Sequence, residues 1–95
     1  MKQQTINENF SVVQATDVVA ADMDGETVMM RIKSGMYYGL DDVGSRIWEL
    51  IATPRQISQV IDILMEEYDV ERSKCQANTL ELMNQLYDEG LIKIA

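Results

Sequence analysis

Few side chains in this 95-residue chain could do chemistry. There is no histidine and a single cysteine, Cys75. Without an imidazole nothing stands ready to take the Cys75 thiol proton, no His-bearing zinc set can form, and one cysteine cannot make a CxxC site. Asp22-Met23-Asp24-Gly25 begins like a calcium loop, but such a loop needs Gly at its sixth position and Glu at its twelfth. Counted from Asp22, those positions hold Thr27 and Lys33. The adjacent acids Asp41-Asp42 and Glu66-Glu67 have the right type for proton transfer, yet they stand at predicted helix ends, where carboxylates cap or face water. No glycine pattern cradles a phosphate. The expectation is a chain that is not an enzyme, with no cofactor and no metal site.

What remains distinctive is aromatic and aliphatic: YYGLDDVGSRIWELI, residues 37–51. Residues 18–32, VVAADMDGETVMMRI, place Asp24-Gly25 between two β-prone runs, the signature of a type I′ hairpin. Lys33-Ser34-Gly35 reads as a second turn and MYYGL, 36–40, as a third strand, so the three form a meander. Gly39 leaves a gap in the outer face, a sign of close backbone approach or a bulge. Asp41 or Asp42 caps a helix over about 42–52, and the cost of Gly44 inside it points to tight packing. Thr53-Pro54-Arg55-Gln56 matches a capping box with Pro at the first helical position. The helix that follows, 56–68, buries Ile57, Val60, Ile61, Leu64 and Tyr68. A third helix spans about 72–89 and ends at Gly90 in a left-handed cap. LIKI, 91–94, is a short strand. Residues 1–9 read as a loose arm and FSVV, 10–13, as a short extended piece. The class is α+β: a winged helix-turn-helix with an N-terminal three-stranded antiparallel sheet followed by three helices. One domain over 1–95 is expected.

The formal net charge is −8. Acidic residues exceed basic ones in both halves, and no basic patch interrupts them. A phosphate backbone or an anionic membrane surface would be repelled, so neither nucleic acid nor membrane is an expected partner. No N-terminal apolar run marks a signal peptide, and no apolar stretch nears the roughly 18 residues of a span. A cytoplasmic protein is expected, which the lone cysteine fits.

The third strand comes last in the meander, so one of its edges is open. An open edge is either covered or used, and one use is the addition of a guest strand. Met36, Tyr37, Tyr38 and Gly39 would form one wall of such a site. The third helix carries more apolar surface than one core contact needs, in two stripes: Cys75, Thr79, Leu82 and Leu86, and Leu80, Met83 and Tyr87. Either the back of the sheet or a partner takes the surplus. Read as a DNA-binding helix instead, the same segment sets Arg72 and Lys74 against Glu71, Glu81, Asp88 and Glu89, the wrong charge for a phosphate backbone.

As a set, Tyr38-Gly39-Leu40, Gly44, Ile47-Trp48-Glu49-Leu50, the stripe from Ile57 to Tyr68-Asp69-Val70, Leu86, and Gly90-Leu91-Ile92 resembles the PqqD family. This is the fold of the RiPP recognition element, and the chain is most similar to its stand-alone lasso-peptide B1 version. The resemblance implies a domain that binds the leader of a ribosomal precursor peptide as an added strand between the third strand and the third helix. It also implies partners: a leader peptidase and a cyclase or other modifying enzyme. A pyrroloquinoline quinone or radical-SAM peptide pathway is the alternative it leaves, and a winged-helix DNA-binding regulator the second alternative. The strand side of the site maps to Met36, Tyr37, Tyr38 and Gly39. The helix side maps to Cys75, Asn78, Thr79 and Leu82, at one edge of the apolar arc, with Leu80, Met83 and Tyr87 as the other choice.

Overall fold

The computed structural model describes residues 5–95. In chain order the elements are β1 (Ser11–Gln14), β2 (Val18–Met23), β3 (Glu26–Arg31), β4 (Met36–Leu40), α1 (Asp42–Leu50), β5 (Arg55–Gln56), α2 (Ile57–Glu67), α3 (Arg72–Asp88) and β6 (Ile92–Ile94). The predicted α+β class, with a three-stranded antiparallel meander ahead of three helices, is what forms.

The meander is β2-β3-β4. Asp24 and Gly25 take φ of +58° and +85°, the pair of positive angles that a type I′ turn requires. Pairing then runs without a bulge from Met23↔Glu26 to Val18↔Arg31 and from Thr27↔Leu40 to Arg31↔Met36. The bulge considered at Gly39 is therefore absent. A Cβ at Gly39 would meet nothing within 4 Å, so the gap there is real and open.

A second sheet, β5-β1-β6, has only a partial counterpart in the sequence reading. β1 lies between Arg55–Gln56 and Ile92–Ile94, with Val12 opposite both Arg55 and Ile94. This pairing moves the predicted capping box. The cap of α2 is Gln56, whose N–H donates to Gln59 Oε1 at 3.3 Å. The first N–H groups of the helix are met by the N-terminal segment: Ile57 donates to Phe10 O and Ser58 to Glu8 O, each at 2.9 Å. Arg55 and Gln56 are strand residues because β1 supplies backbone partners that a local cap would have replaced.

The loose arm expected over 1–9 is corrected on its described part, and residues 1–4 lie outside the described residues. Ile6 is 1% exposed. Its N–H donates to Asn84 Oδ1 at 2.9 Å, and Asn84 Nδ2 donates back to Ile6 O at 3.2 Å. A fully buried Ile stabilises a fold by about 1.5–3 kcal/mol, enough to hold a polar segment whose neighbours alone read as loose.

The helices close the core from one side of the meander. Asp41 Oδ1 accepts the Gly44 N–H at 2.8 Å and starts α1. Ile47, Trp48, Leu50 and Ile51 are buried. A Cβ on Gly44 would lie 3.2 Å from both Asp41 Oδ1 and Leu40 Cβ, the tight packing its cost implied. Ile57, Val60, Ile61 and Leu64 form the buried face of α2. α3 ends as expected: Gly90 has φ +75°, its N–H reaches Tyr87 O, and Leu91 N–H reaches Leu86 O at 2.9 Å. These two bonds make a Schellman cap.

The two apolar stripes proposed for α3 resolve differently from the prediction. The buried residues are Cys75, Thr79, Met83 and Leu86, drawn from both stripes. Leu80, Leu82 and Tyr87 flank them half-buried. One flank is covered by the N-terminal segment, through Asn84 and through Gln76, whose Nε2 donates to Glu8. The other flank, carrying Leu82, faces β4 across a groove. The surplus apolar surface is therefore not spent on the back of the meander.

Candidate functional site

Among the described residues β4 pairs only with β3, which leaves its other edge open. Strand parity decides which backbone groups that edge presents. Ile32 N–H donates to Asp17 O at 2.8 Å, so even-numbered residues of β3 turn their backbone groups to β2 and odd-numbered ones to β4. In the β3–β4 register Arg31, Met29 and Thr27 face Met36, Tyr38 and Leu40. These are the hydrogen-bonded pairs of the ladder. Tyr37 and Gly39 therefore direct their N–H and C=O groups outward, away from the sheet. Two donors and two acceptors, spaced by one residue, line an exposed edge.

α3 stands opposite that edge. Between them runs a groove in two adjoining parts. The larger, of about 620 Å³, reaches from Gly39, Leu40 and Asp41 past the start of α1 to the α2–α3 turn at Tyr68, Asp69 and Val70, with Cys75, Asn78, Thr79 and Leu82 on the helix side. The smaller, of about 400 Å³, continues along Tyr38 and Gly39 toward Asp88 and Glu89 at the end of α3. The parts share Gly39, Leu40, Leu82 and Gln85. The floor of the larger part is apolar, with Val43, Ile47, Leu64 and Leu82 among its lining residues. Val43 is 36% exposed because it stands in this groove.

The eight residues named from the sequence fall into two groups. Gly39, Cys75, Asn78, Thr79 and Leu82 line the larger part, and Tyr38 joins the smaller. Met36 and Tyr37 line neither part and are 54% and 70% exposed. Tyr37 takes part through its backbone, while its side chain stands on the far face of the sheet with Val19 and Met30. The alternative set of Leu80, Met83 and Tyr87 lines neither part. Sequence reasoning missed the α2–α3 turn, Asp41, Glu81 and Gln85. Gln85 was within reach, since it continues the Asn78–Leu82 row at helical spacing. The turn was not, because only the packing of α2 on α3 brings it to the groove.

Tyr38 closes one end. Its hydroxyl donates to Glu89 Oε2 at 3.0 Å. Loss of hydration, reinforced by the hydrogen bond and by the negative charge of Glu89, raises the phenol above its ordinary value near 10, and Arg31 opposes the shift. Arg31 donates to Glu89 O at 3.3 Å and pairs with Asp17 at 3.4 Å.

Cys75 is buried, and its sulfur lies 4.0 Å from Thr79 Oγ1 with no imidazole in the chain. Among the described residues no group of three or more Cys, Asp or Glu could hold a metal ion. No described helix is long and apolar enough to cross a membrane. What the site offers is an unpaired strand edge, an apolar floor and a helix wall, a form that fits an extended chain.

The family described as Coenzyme PQQ synthesis protein D (PqqD) matches residues 26–92. The chain belongs to the PqqD family. The matched stretch runs from β3 into β6 and so holds every described residue of the groove. Among solved structures, one described as TbiB1 in complex with the TbiA(beta) leader peptide superposes with a TM-score of 0.80 at 31% identity, over 85% of this chain and 94% of that one. A lasso peptide synthetase B1 complexed with the leader peptide superposes at 0.77 and 23% identity, over 86% and 96%, which speaks for the fold alone. No curated protein matches.

Proposed function

We propose that this chain is a non-catalytic leader-peptide-binding protein. It takes the leader of a ribosomal precursor peptide as a fourth strand on β4, beneath α3, and presents the precursor to a leader peptidase and a modifying enzyme. One observation carries the reading: Tyr37 and Gly39 turn unpaired N–H and C=O groups toward a groove whose floor is apolar. Main-chain pairing supplies affinity there, and alternate side chains read by the groove supply selectivity.

The site residues follow from this. Tyr37 and Gly39 serve as the backbone ladder. Tyr38, Cys75, Asn78, Thr79 and Leu82 serve as side-chain contacts, and Met36 extends the edge. TbiB1, in complex with a leader peptide and 31% identical to this chain, supports the leader-binding role, and the resemblance of the sequence to stand-alone lasso-peptide B1 proteins favours lasso peptide biosynthesis. The family's description favours a second reading, a chaperone for coenzyme PQQ synthesis.

The test is fluorescence polarisation with labelled leader peptides synthesised from the precursor genes that neighbour this one. Saturable binding at low micromolar or tighter is expected, and the precursor that binds decides between the two pathways. Absence of binding to every neighbouring leader overturns the reading.

A further inference from the structure

The groove carries a charge that its apolar floor does not explain. Asp41, Asp69 and Glu81 line its larger part, and Asp88 and Glu89 its smaller. No Lys or Arg among the described residues lines either part. The arginines that neutralise acids do so elsewhere: Arg46 holds Glu67 at 2.7 Å and Glu49 at 3.3 Å, and Arg72 holds Asp62 at 2.8 Å. Of the groove acids, Asp41 is tied to the α1 cap and Glu89 to Tyr38, with Arg31 beside it. Asp69, Glu81 and Asp88 are exposed and form no ion pair with a described residue.

We propose that the peptide this groove takes is cationic, with Lys or Arg placed to meet the Asp69–Glu81 end and the Asp88–Glu89 end. The proposal rests on the reading that the groove receives an added strand. The layout then sets the pattern. Side chains of an added strand alternate between two directions, so apolar residues enter the floor over Val43, Ile47 and Leu64 while residues between them meet the rim. At roughly 3.3 Å per extended residue, Tyr38 in the middle of β4 and Asp41 just past its end lie roughly 10 Å apart. The two cationic positions, both on the rim-facing side of the strand, are accordingly two or four residues apart. Long Lys and Arg stems lie along apolar surface while their heads reach the carboxylates. The net charge of −8 adds a long-range field that speeds the approach of such a peptide and weakens with salt.

The experiment is selection of a displayed library of random 12-residue peptides on the wild-type chain, with counter-selection on Tyr37→Pro to discard binders that do not use the β4 edge. Edge-dependent binders enriched in Lys and Arg at that spacing are expected. They should lose about tenfold in affinity on the Asp69→Asn/Glu81→Gln double variant, and a similar factor between 50 and 300 mM NaCl. Both substituted residues are exposed, so unchanged circular dichroism separates lost charge from lost fold. Edge-dependent binders that are neutral or acidic, or that ignore salt and the double variant, overturn the cationic assignment and leave the groove reading standing. A selection that yields no edge-dependent binder overturns both.

Discussion

The Tyr38 hydroxyl donates to the Glu89 carboxylate at 3.0 Å and so joins the middle of the edge strand to the C-cap of α3. The groove is open at its α2–α3 end and held at this one. The bond also has a pH signature. The folded phenol titrates above its ordinary value, so the native state holds its proton more tightly than the unfolded chain does. Stability from this contact is complete below pH 10 and is lost as pH rises through the folded value. Thermal unfolding of wild type and Tyr38→Phe between pH 8 and 11.5 checks it: the gap between them should stay constant up to about pH 9 and shrink above about 10.

Proline distinguishes the two sides of β4. Tyr37→Pro and Gly39→Pro each remove an outward N–H that pairs with nothing in β3, a position where an edge strand tolerates Pro. Tyr38→Pro removes an N–H that β3 uses. The first two variants should keep near-wild-type melting temperatures and bind a leader at least tenfold more weakly. The third should melt several degrees lower. Differential scanning fluorimetry beside polarisation titrations reads both, and leader binding by Tyr37→Pro at wild-type strength would place the docking edge elsewhere.

Gly90→Ala tests the end of α3. The residue has φ +75°, and an added Cβ would lie 2.7 Å from the Arg31 guanidinium. The flexible Arg31 side chain can move, but the left-handed backbone cost stays, about 1–2 kcal/mol. Urea denaturation should show a loss of that size. Displacement of Arg31 from Glu89 should also loosen the closed end of the groove, seen as faster amide exchange at Leu91.

Ile6→Ala tests whether the N-terminal segment belongs to the core. Truncating a buried Ile costs about 2–5 kcal/mol, which for a chain of this size lowers the melting temperature by roughly 10 °C or more. A change within 2 °C would return the segment to the loose arm that its sequence suggests.

The residues around Ile6 show why that segment misled. QTINENFS is mostly polar, and its two apolar side chains, Ile6 and Phe10, are too few to set a period that a pattern can register. Its burial depends on Asn84, seventy-eight residues away, and on a sheet that joins β1 to residues 55–56 and 92–94. Elements built on local rules were legible: Asp24-Gly25 for the hairpin, Asp41 for the α1 cap, Gly90 for the end of α3. Elements built on distant partners were not. The cap of α2 moved three residues because β1 claimed Arg55 and Gln56.

The candidate site divides along the same line. Alternation in MYYGL places Tyr37 and Gly39 on one side and Tyr38 and Leu40 on the other, and the position of β4 as the last strand of a meander leaves it an open edge. Side-chain chemistry alone also narrows the catalytic readings, since a chain without histidine and with one cysteine has no imidazole base and no pair of thiols. Only the tertiary structure shows that Met83 is buried while Leu82 faces the groove. Two residues 100° apart on a helix differ in environment only through what packs against each, and that is set by Ile6 on one flank and β4 on the other. The acidic rim has the same origin: Asp41, Asp69 and the α3 pair Glu81 and Asp88 come from three separate segments, and packing of α2 and α3 against the meander is what gathers their charge into one groove.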